Sequence, residues 1–237
     1  MATETETTDL SRIGAPRTAA FFRVEGTLLN RGALAASAYL AANGQGFRER
    51  FLRLGGIALA APVYGILGQN DRTMANRVAY LALRNMSEDR VSVLGREYFD
   101  DVLKGKLLAS GLDLLKRMKQ EGHMTVLLSE GIEEVVGPLR DELSDVDHFV
   151  CNRLEFRDGD CTGRLLDPII GGHATRRWVT RFAEEQNIDL GRSVAYAAHG
   201  PDLLLLAAVG SPCAVNPDFT LRRAAEEAEW PVMEYRV

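Results

Sequence analysis

Four short segments of the sequence contain polar or charged side chains of the types that bind anions or transfer protons; in chain order they are 23–27, 129–131, 172–175 and 197–202. These side chains are Arg23, Glu25, Thr27, Ser129, His173, Thr175, His199 and Asp202. A guanidinium group and hydroxyl groups can hold the oxygens of an anion, whereas a carboxylate or an imidazole can accept a proton. The four segments therefore contain the parts of an anion site and of an acid–base pair, provided that the fold brings them together.

Each of these segments lies at the end of a predicted strand. Short apolar runs rich in strand formers cover 18–24, 123–129 and 193–198, and patterns typical of helices lie between them. Alternating strands and helices predict an α/β fold with an open parallel sheet, in which ligands bind at the carboxyl ends of the strands. We therefore expect the four segments to meet at one edge of the sheet.

The long helical stretch after the first strand divides the chain into parts. We expect residues 1–17 to form a mobile tail and residues 31–105 a helical insertion. Residues 18–30 and 106–237 then form one α/β core, because strand patterns occur on both sides of the insertion.

Local signals predict two turns and a helix within the core. Asp158 and Gly159 lie between two alternating runs and predict a β-hairpin. Gly122 is expected to end a helix, because glycine adopts the left-handed conformation at helix ends without strain. A further helix is predicted over 131–143.

Composition limits the class of protein. The chain has 237 residues, 46% of them hydrophobic and 26% charged, as in a globular domain with a buried core. Its net charge of -5 gives no basic field for nucleic acid. Three cysteines without a C-x-x-C spacing predict neither a disulfide framework nor a zinc site, which suits the cytoplasm. The first residues lack a secretory signal, and the apolar stretch 54–68 is too short for a transmembrane segment.

The segments and their flanking residues resemble the haloacid dehalogenase (HAD) superfamily over about residues 18–235. AAFFRVEGTLLN is similar to that family's FFDxDGTL motif, and VLLSEG is similar to its second strand and serine. YAAHGPDLLLLAAVGSPCAVNPDFTL is similar to the tail YxDSxxDxxxLxxVGxPxAVNPDxxL of the phosphoserine phosphatase-like branch. This resemblance implies a Rossmannoid sheet with a helical cap inserted after the first strand, over 31–105.

The resemblance also implies a magnesium-dependent reaction through a phosphoaspartate. The family's positions are the nucleophile, the acid–base residue, a phosphate-binding Thr and Ser, a neutralising Lys and two metal-binding acids. In that order, they correspond here to Arg23, Glu25, Thr27, Ser129, Thr175, Ala198 and Asp202.

Three of these positions have lost their chemistry. A guanidinium is not deprotonated in proteins, so Arg23 cannot attack phosphorus. Ala198 offers no oxygen to a hard cation such as magnesium, and Thr175 carries no charge to neutralise a phosphoryl group. We therefore expect no catalytic residue in use, no metal ligands and no magnesium cofactor.

Two arrangements are open for Arg23. In the first, it pairs with Asp202, Glu25 or both and replaces the charge of the metal. In the second, it points into the cleft and clamps an anion. The ligand-binding residues of this second arrangement are Arg23, Gly26, Thr27, Ser129 and His199.

The favoured function is that of a pseudophosphatase, which binds a protein or a phosphorylated small molecule at the former cleft and the cap. The alternative is a diverged hydrolase, either a weak phosphomonoesterase or an enzyme using His173 and His199. A third alternative is a subunit that supports a partner enzyme through 54–68, and a homo-oligomer is compatible with all three. His123 and His148 fall at strand starts, on the opposite edge of the sheet, and are assigned no role.

Overall fold

The computed structural model describes residues 15–30, 32–43, 54–56, 58 and 72–235. The strands in this part of the chain are β1 (Ala19–Arg23), β2 (Met124–Ile132), β3 (His148–Arg157), β4 (Asp160–Leu166), β5 (Val194–Ala197), β6 (Ser211–Val215) and β7 (Val232–Met233). They form one seven-stranded sheet in the order β4-β3-β2-β1-β5-β6-β7. All neighbours are parallel except β3 and β4, which form an antiparallel pair. The predicted α/β fold is confirmed, with one antiparallel strand at the edge.

Helices cover both faces of this sheet. They are α1 (Ala33–Ala42), α2 (Arg72–Tyr80), α3 (Glu88–Tyr98), α4 (Ala109–Gln120), α5 (Glu133–Val136), α6 (Pro138–Glu142), α7 (Gly172–Glu185), α8 (Leu203–Leu206) and α9 (Phe219–Glu227). Short 3-10 or π turns lie at Leu81–Leu83, Phe99–Leu103, Lys104–Lys106, Leu190–Arg192 and Gly200–Asp202. Among the described residues, no helix combines the length and the apolar character needed to cross a membrane.

The central strand β1 is buried along its whole length because both of its faces are covered. Ala20 and Phe22 belong to the apolar core on the side of α4, whereas Ala19 and Phe21 belong to the core on the side of α7. Such two-sided burial explains the unbroken apolar run of this strand, since no residue of it faces water. It also places the end of β1 in the middle of the sheet edge.

The two predicted turns are confirmed. Asp158 and Gly159 have φ angles of 52° and 84°, so both central residues of the β3–β4 turn take the left-handed conformation that such a hairpin requires. Gly122, with φ 87°, follows the end of α4, and its N–H donates to the carbonyl of Lys119 at 3.1 Å.

Two predictions for the elements differ from the structure. The helix predicted over 131–143 is wrong at its start, because β2 continues to Ile132, which pairs with Asn152 of β3. The remaining helical stretch is divided into α5 and α6 at Pro138, whose ring cannot donate a backbone hydrogen bond. The two-residue strand β7 was not predicted, because it is too short to produce an alternating pattern.

The structure describes residue 17, the last residue of the predicted tail. The backbone N–H of Arg17 donates to the carbonyl of Asn187 at 2.9 Å, and its carbonyl accepts from Asp189 N–H at 2.9 Å. The last residue of the predicted tail is thus attached to the core, whereas residues 1–14 lie outside the described residues. Most of the apolar stretch 54–68 also lies outside them.

Candidate functional site

The carboxyl ends of β1, β2 and β5 meet at one edge of the sheet because β1 pairs with both other strands. The chain turns sharply after β1 at Gly26, whose φ is 88°. A Cβ atom at this position would lie 2.3 Å from Ala198 Cβ and 2.8 Å from His199 Cε1. Glycine is therefore required for the first and fourth segments to pack together.

Arg23 is the centre of the site and is only 2% exposed. Its Nε lies 2.9 Å from Asp202 Oδ1, and its Nη2 lies 2.7 Å from Glu130 Oε1 and 3.6 Å from Glu25 Oε2. Its Nη1 donates to the carbonyl of Leu128 at 3.3 Å. Burial by itself lowers the pKa of Arg23, but the three carboxylates more than offset it and raise the pKa above its usual value.

Glu130 joins this cluster to helix α2. Its Oε2 accepts a hydrogen bond at 2.8 Å from Nε of Arg72, which is on α2. Burial raises the pKa of Glu130 to about 7, although Arg23 and Arg72 act in the opposite direction. We name the five side chains the ion cluster; they are Arg23, Glu25, Arg72, Glu130 and Asp202.

Glu25 takes up the hydrogen-bond donors that a bound anion would need. Its Oε1 accepts from Ser129 Oγ at 2.5 Å, from Glu130 N–H at 3.1 Å and from Gly131 N–H at 3.3 Å. A hydroxyl group and two successive backbone amides are a typical arrangement for holding phosphate oxygens. Here they already hold a carboxylate of the chain itself.

The two other predicted hydroxyl positions, Thr27 and Thr175, also have internal partners. The Thr27 hydroxyl donates back to the carbonyl of Arg23, and the Thr175 hydroxyl accepts from Gly171 N–H at 2.8 Å, in the first turn of α7. Nδ1 of His199 is buried without a hydrogen-bond partner among the described residues. Burial lowers the pKa of His199, although Asp202 opposes it.

The structure corrects the second arrangement proposed for Arg23. The guanidinium faces three carboxylates, and the Thr27 and Ser129 hydroxyls donate to acceptors of the chain, so these groups do not form an open anion clamp. The pairing of Arg23 with Asp202, which the first arrangement predicts, is present in the structure, and Glu130 is a second close partner. Among the described residues, no hydrogen bond joins His173 to His199, so the structure does not place them as an acid–base pair.

Two members of the ion cluster were missed by the sequence analysis. Glu130 directly follows Ser129 at a strand end, which is a signal that could have identified it. Arg72 had no such signal, because its position depends on how α2 docks. Three hydrogen bonds hold that helix against the core: Thr73 Oγ1 to the carbonyl of Gly171 at 3.1 Å, Asn76 Nδ2 to that of Ile170 at 3.1 Å, and Tyr80 OH to that of Glu130 at 3.4 Å.

The donor set does not suit a magnesium ion. Asp202 and Glu130, the two carboxylates closest to Arg23, bind its guanidinium, and the side chain of Ala198 contains no oxygen that could bind a metal. In the part of the chain that the structure describes, no group of three or more His, Cys, Asp or Glu side chains is placed to hold a metal ion.

Two relatives align in sequence with most of this chain. It is 29% identical over 223 residues to the inhibition of morphological differentiation protein of Streptomyces azureus, covering 93% of this chain and 79% of that protein. It is 27% identical over 224 residues to phosphoserine phosphatase SerB1 of Mycobacterium tuberculosis, covering 92% and 71%.

A solved structure has the same fold. It is that of a phosphoserine phosphatase with an analogue of its phospho-aspartyl intermediate, at a TM-score of 0.69 and 17% identity, covering 93% of this chain and 95% of that one. A family model described as haloacid dehalogenase-like hydrolase matches residues 20–207. The chain therefore belongs to the haloacid dehalogenase-like hydrolase family and has a phosphoserine phosphatase-like fold.

Proposed function

We propose that this protein is a pseudophosphatase, a member of the hydrolase family that has no phosphatase activity and acts by binding a protein partner. The observation that carries the proposal is the burial of Arg23 among three carboxylates, at the position where the family's nucleophile would lie. A permanently charged guanidinium cannot form the covalent intermediate. Without a nucleophile, little of the family's reaction remains.

In this proposal, Arg23 supplies positive charge that a metal ion would otherwise supply. A divalent cation brings two positive charges to clustered carboxylates, and here two arginines bring the same charge to three carboxylates. The site needs no magnesium, because groups of the chain already supply the two positive charges that the metal would bring. The same pairing holds α2 against the core through Arg72, so the ion cluster fixes the insertion in place.

A protein is a better candidate than a phosphorylated ligand at this site. A phosphate entering the former cleft would have to displace Glu25 from Ser129 and Gly131, and its charge would add to those of the carboxylates. The described part of the insertion, by contrast, exposes large apolar side chains, with Met74 46%, Leu81 53% and Val93 50% accessible. Exposed apolar side chains favour protein contacts where they form a contiguous surface.

The alternative is a magnesium-dependent phosphatase, which the name of the Mycobacterium tuberculosis relative favours. An assay with a generic aryl phosphate and magnesium separates the two functions. We expect no turnover by the natural protein, and turnover by the triple variant Arg23→Asp, Thr175→Lys, Ala198→Asp, in which the family's nucleophile, lysine and metal ligand are present.

A matched control identifies contaminating phosphatase in that assay. The variant Glu25→Gln, prepared in the same way, lacks the carboxylate at the acid–base position. Magnesium-dependent turnover by the natural protein that disappears in Glu25→Gln would overturn the proposal. Turnover of equal size in both preparations comes from a contaminant and leaves the natural protein inactive, as proposed.

A further inference from the structure

A cleft of about 680 Å³ opens at the amino ends of the central strands, on the opposite edge of the sheet from the ion cluster. Its volume falls within the range of small-molecule sites. Basic side chains predominate in its lining. The charged and titratable side chains that line it are Arg17, Lys119, His123, Asp147, His148 and Arg192.

The single carboxylate in this lining is already satisfied. Asp147 pairs with Lys119, and its Oδ2 accepts from Thr125 N–H at 2.9 Å and from Thr125 Oγ1 at 3.0 Å. Partial burial raises the pKa of Asp147, but these hydrogen bonds outweigh burial and lower the pKa below its usual value. Asp147 therefore neutralises Lys119 and leaves the rest of the cleft positive.

Arg17 and Arg192 are the two cations that remain. Both are exposed and line the same cleft, and neither forms an ion pair with any residue that the structure describes. One residue links their backbones: Asp189 N–H donates to the carbonyl of Arg17 at 2.9 Å, and Arg192 N–H donates to the carbonyl of Asp189 at 3.2 Å. Two guanidinium groups from neighbouring backbone positions suit the oxygens of a phosphate group.

The two histidines without an assigned role face this cleft as well. Nδ1 of His123 is buried and has no hydrogen-bond partner in the described part of the chain. His148 contacts the edge of the Phe182 ring, with centroids 4.8 Å apart, which fixes the orientation of its imidazole. Both imidazole rings therefore belong to the same lining as Arg17 and Arg192.

We propose that this cleft binds a phosphorylated small molecule through its phosphate group, with Arg17 and Arg192 as the principal contacts. The site is independent of the former catalytic cleft and of its loss of activity. A locally positive concavity on a chain with a net charge of -5 concentrates anions at one place instead of over the whole surface.

The test is a titration of the full isotope-labelled chain with inorganic pyrophosphate, followed through its backbone amide resonances. We expect saturable shifts at Gly122 and Arg192. The double variant Arg17→Gln, Arg192→Gln should bind at least about tenfold more weakly, because two charge-assisted contacts are lost. The variant Arg17→Lys, Arg192→Lys should retain part of the affinity, because lysine keeps the charge without the planar fork.

A charge-matched control tests whether net charge alone explains the result. Arg181 and Arg223 are exposed and pair with Glu185 and Glu227 on their own helices, and their joint replacement by glutamine changes the net charge equally. Full affinity in this control supports the cleft. Equal weakening in both double variants, the absence of saturable shifts in the natural protein, or shifts confined to Ser129–Gly131 would each overturn the proposal. A well-dispersed spectrum of each variant shows that it is folded.

Discussion

The two edges of the sheet use arginine in opposite ways. At the carboxyl edge, Arg23 is buried and contacts three carboxylates, so its charge is paired within the protein. At the amino edge, Arg17 and Arg192 are exposed and have no ionic partner among the described residues. Removal of a buried arginine leaves its acid neighbours as uncompensated buried charges, whereas an exposed arginine beside a cleft is available to a ligand.

We expect the largest effect on stability at Arg23. The variant Arg23→Met leaves three acids around an apolar side chain, and we expect a loss of about 3–5 kcal/mol in the free energy of unfolding, measured with urea. The exposed Arg223 provides the control, since Arg223→Met should change stability by less than about 0.5 kcal/mol. Similar losses in both variants would contradict the structural role of Arg23.

A second large effect is expected at Gly26, which sets the contact between the first and fourth segments. Gly26→Ala combines a φ of 88° with a Cβ position 2.3 Å from Ala198 Cβ. We expect a loss of about 2–4 kcal/mol, from backbone strain and overcrowding together. The matched change is Gly159→Ala, at a similar φ of 84° with open space around it, which should cost less. An equal cost at both glycines would exclude crowding as a cause.

The carboxyl edge should also make stability depend on pH. The folded-state pKa of Glu130, about 7, lies above its usual value of 4.5, so the native state binds this proton more tightly than the unfolded state. The corresponding stabilisation is complete below pH 4.5 and is lost as the pH rises through 7. We expect a smaller decline between pH 5 and pH 8 in Glu130→Gln, measured by urea unfolding. The same decline in the variant would assign it to another group, such as Glu134, whose pKa burial raises to about 7.

The smallest effect is predicted at the amino edge. Arg17→Gln together with Arg192→Gln should change the unfolding free energy by less than about 0.5 kcal/mol, because their exposed side chains have no ionic partner among the described residues. A loss comparable to that of Arg23→Met would show that the two edges do not differ in kind, and that these arginines are structural as well.

The sequence predicted the strands that form the site better than it predicted which side chains meet there. Apolar runs identified β1 and β5, and the strand-end rule brought Arg23 and Asp202 together at one edge. Glu130 was overlooked although it directly follows the end of the predicted strand 123–129, because the family's motif assigns the preceding serine instead. Arg72 could not be predicted, since its contact joins residues 58 positions apart through the docking of α2, which no local pattern encodes.

The same limit applies to the amino edge. His123, His148 and Arg192 are far apart in the chain, and each has an ordinary interpretation as an exposed or strand-flanking residue when taken alone. Their common cleft follows from the parallel arrangement of β1, β2, β3 and β5, which brings the starts of these strands together. Recognition of the cleft therefore required the sheet order.

Calorimetric titration with magnesium tests most directly whether Arg23 replaces the metal. We expect no saturable heat for the natural protein. The variant Arg23→Asp, Ala198→Asp should bind magnesium saturably, because it lacks the guanidinium and has a cluster of acids. Saturable magnesium binding by the natural protein that is lost in Asp202→Asn would contradict the replacement of the metal by Arg23.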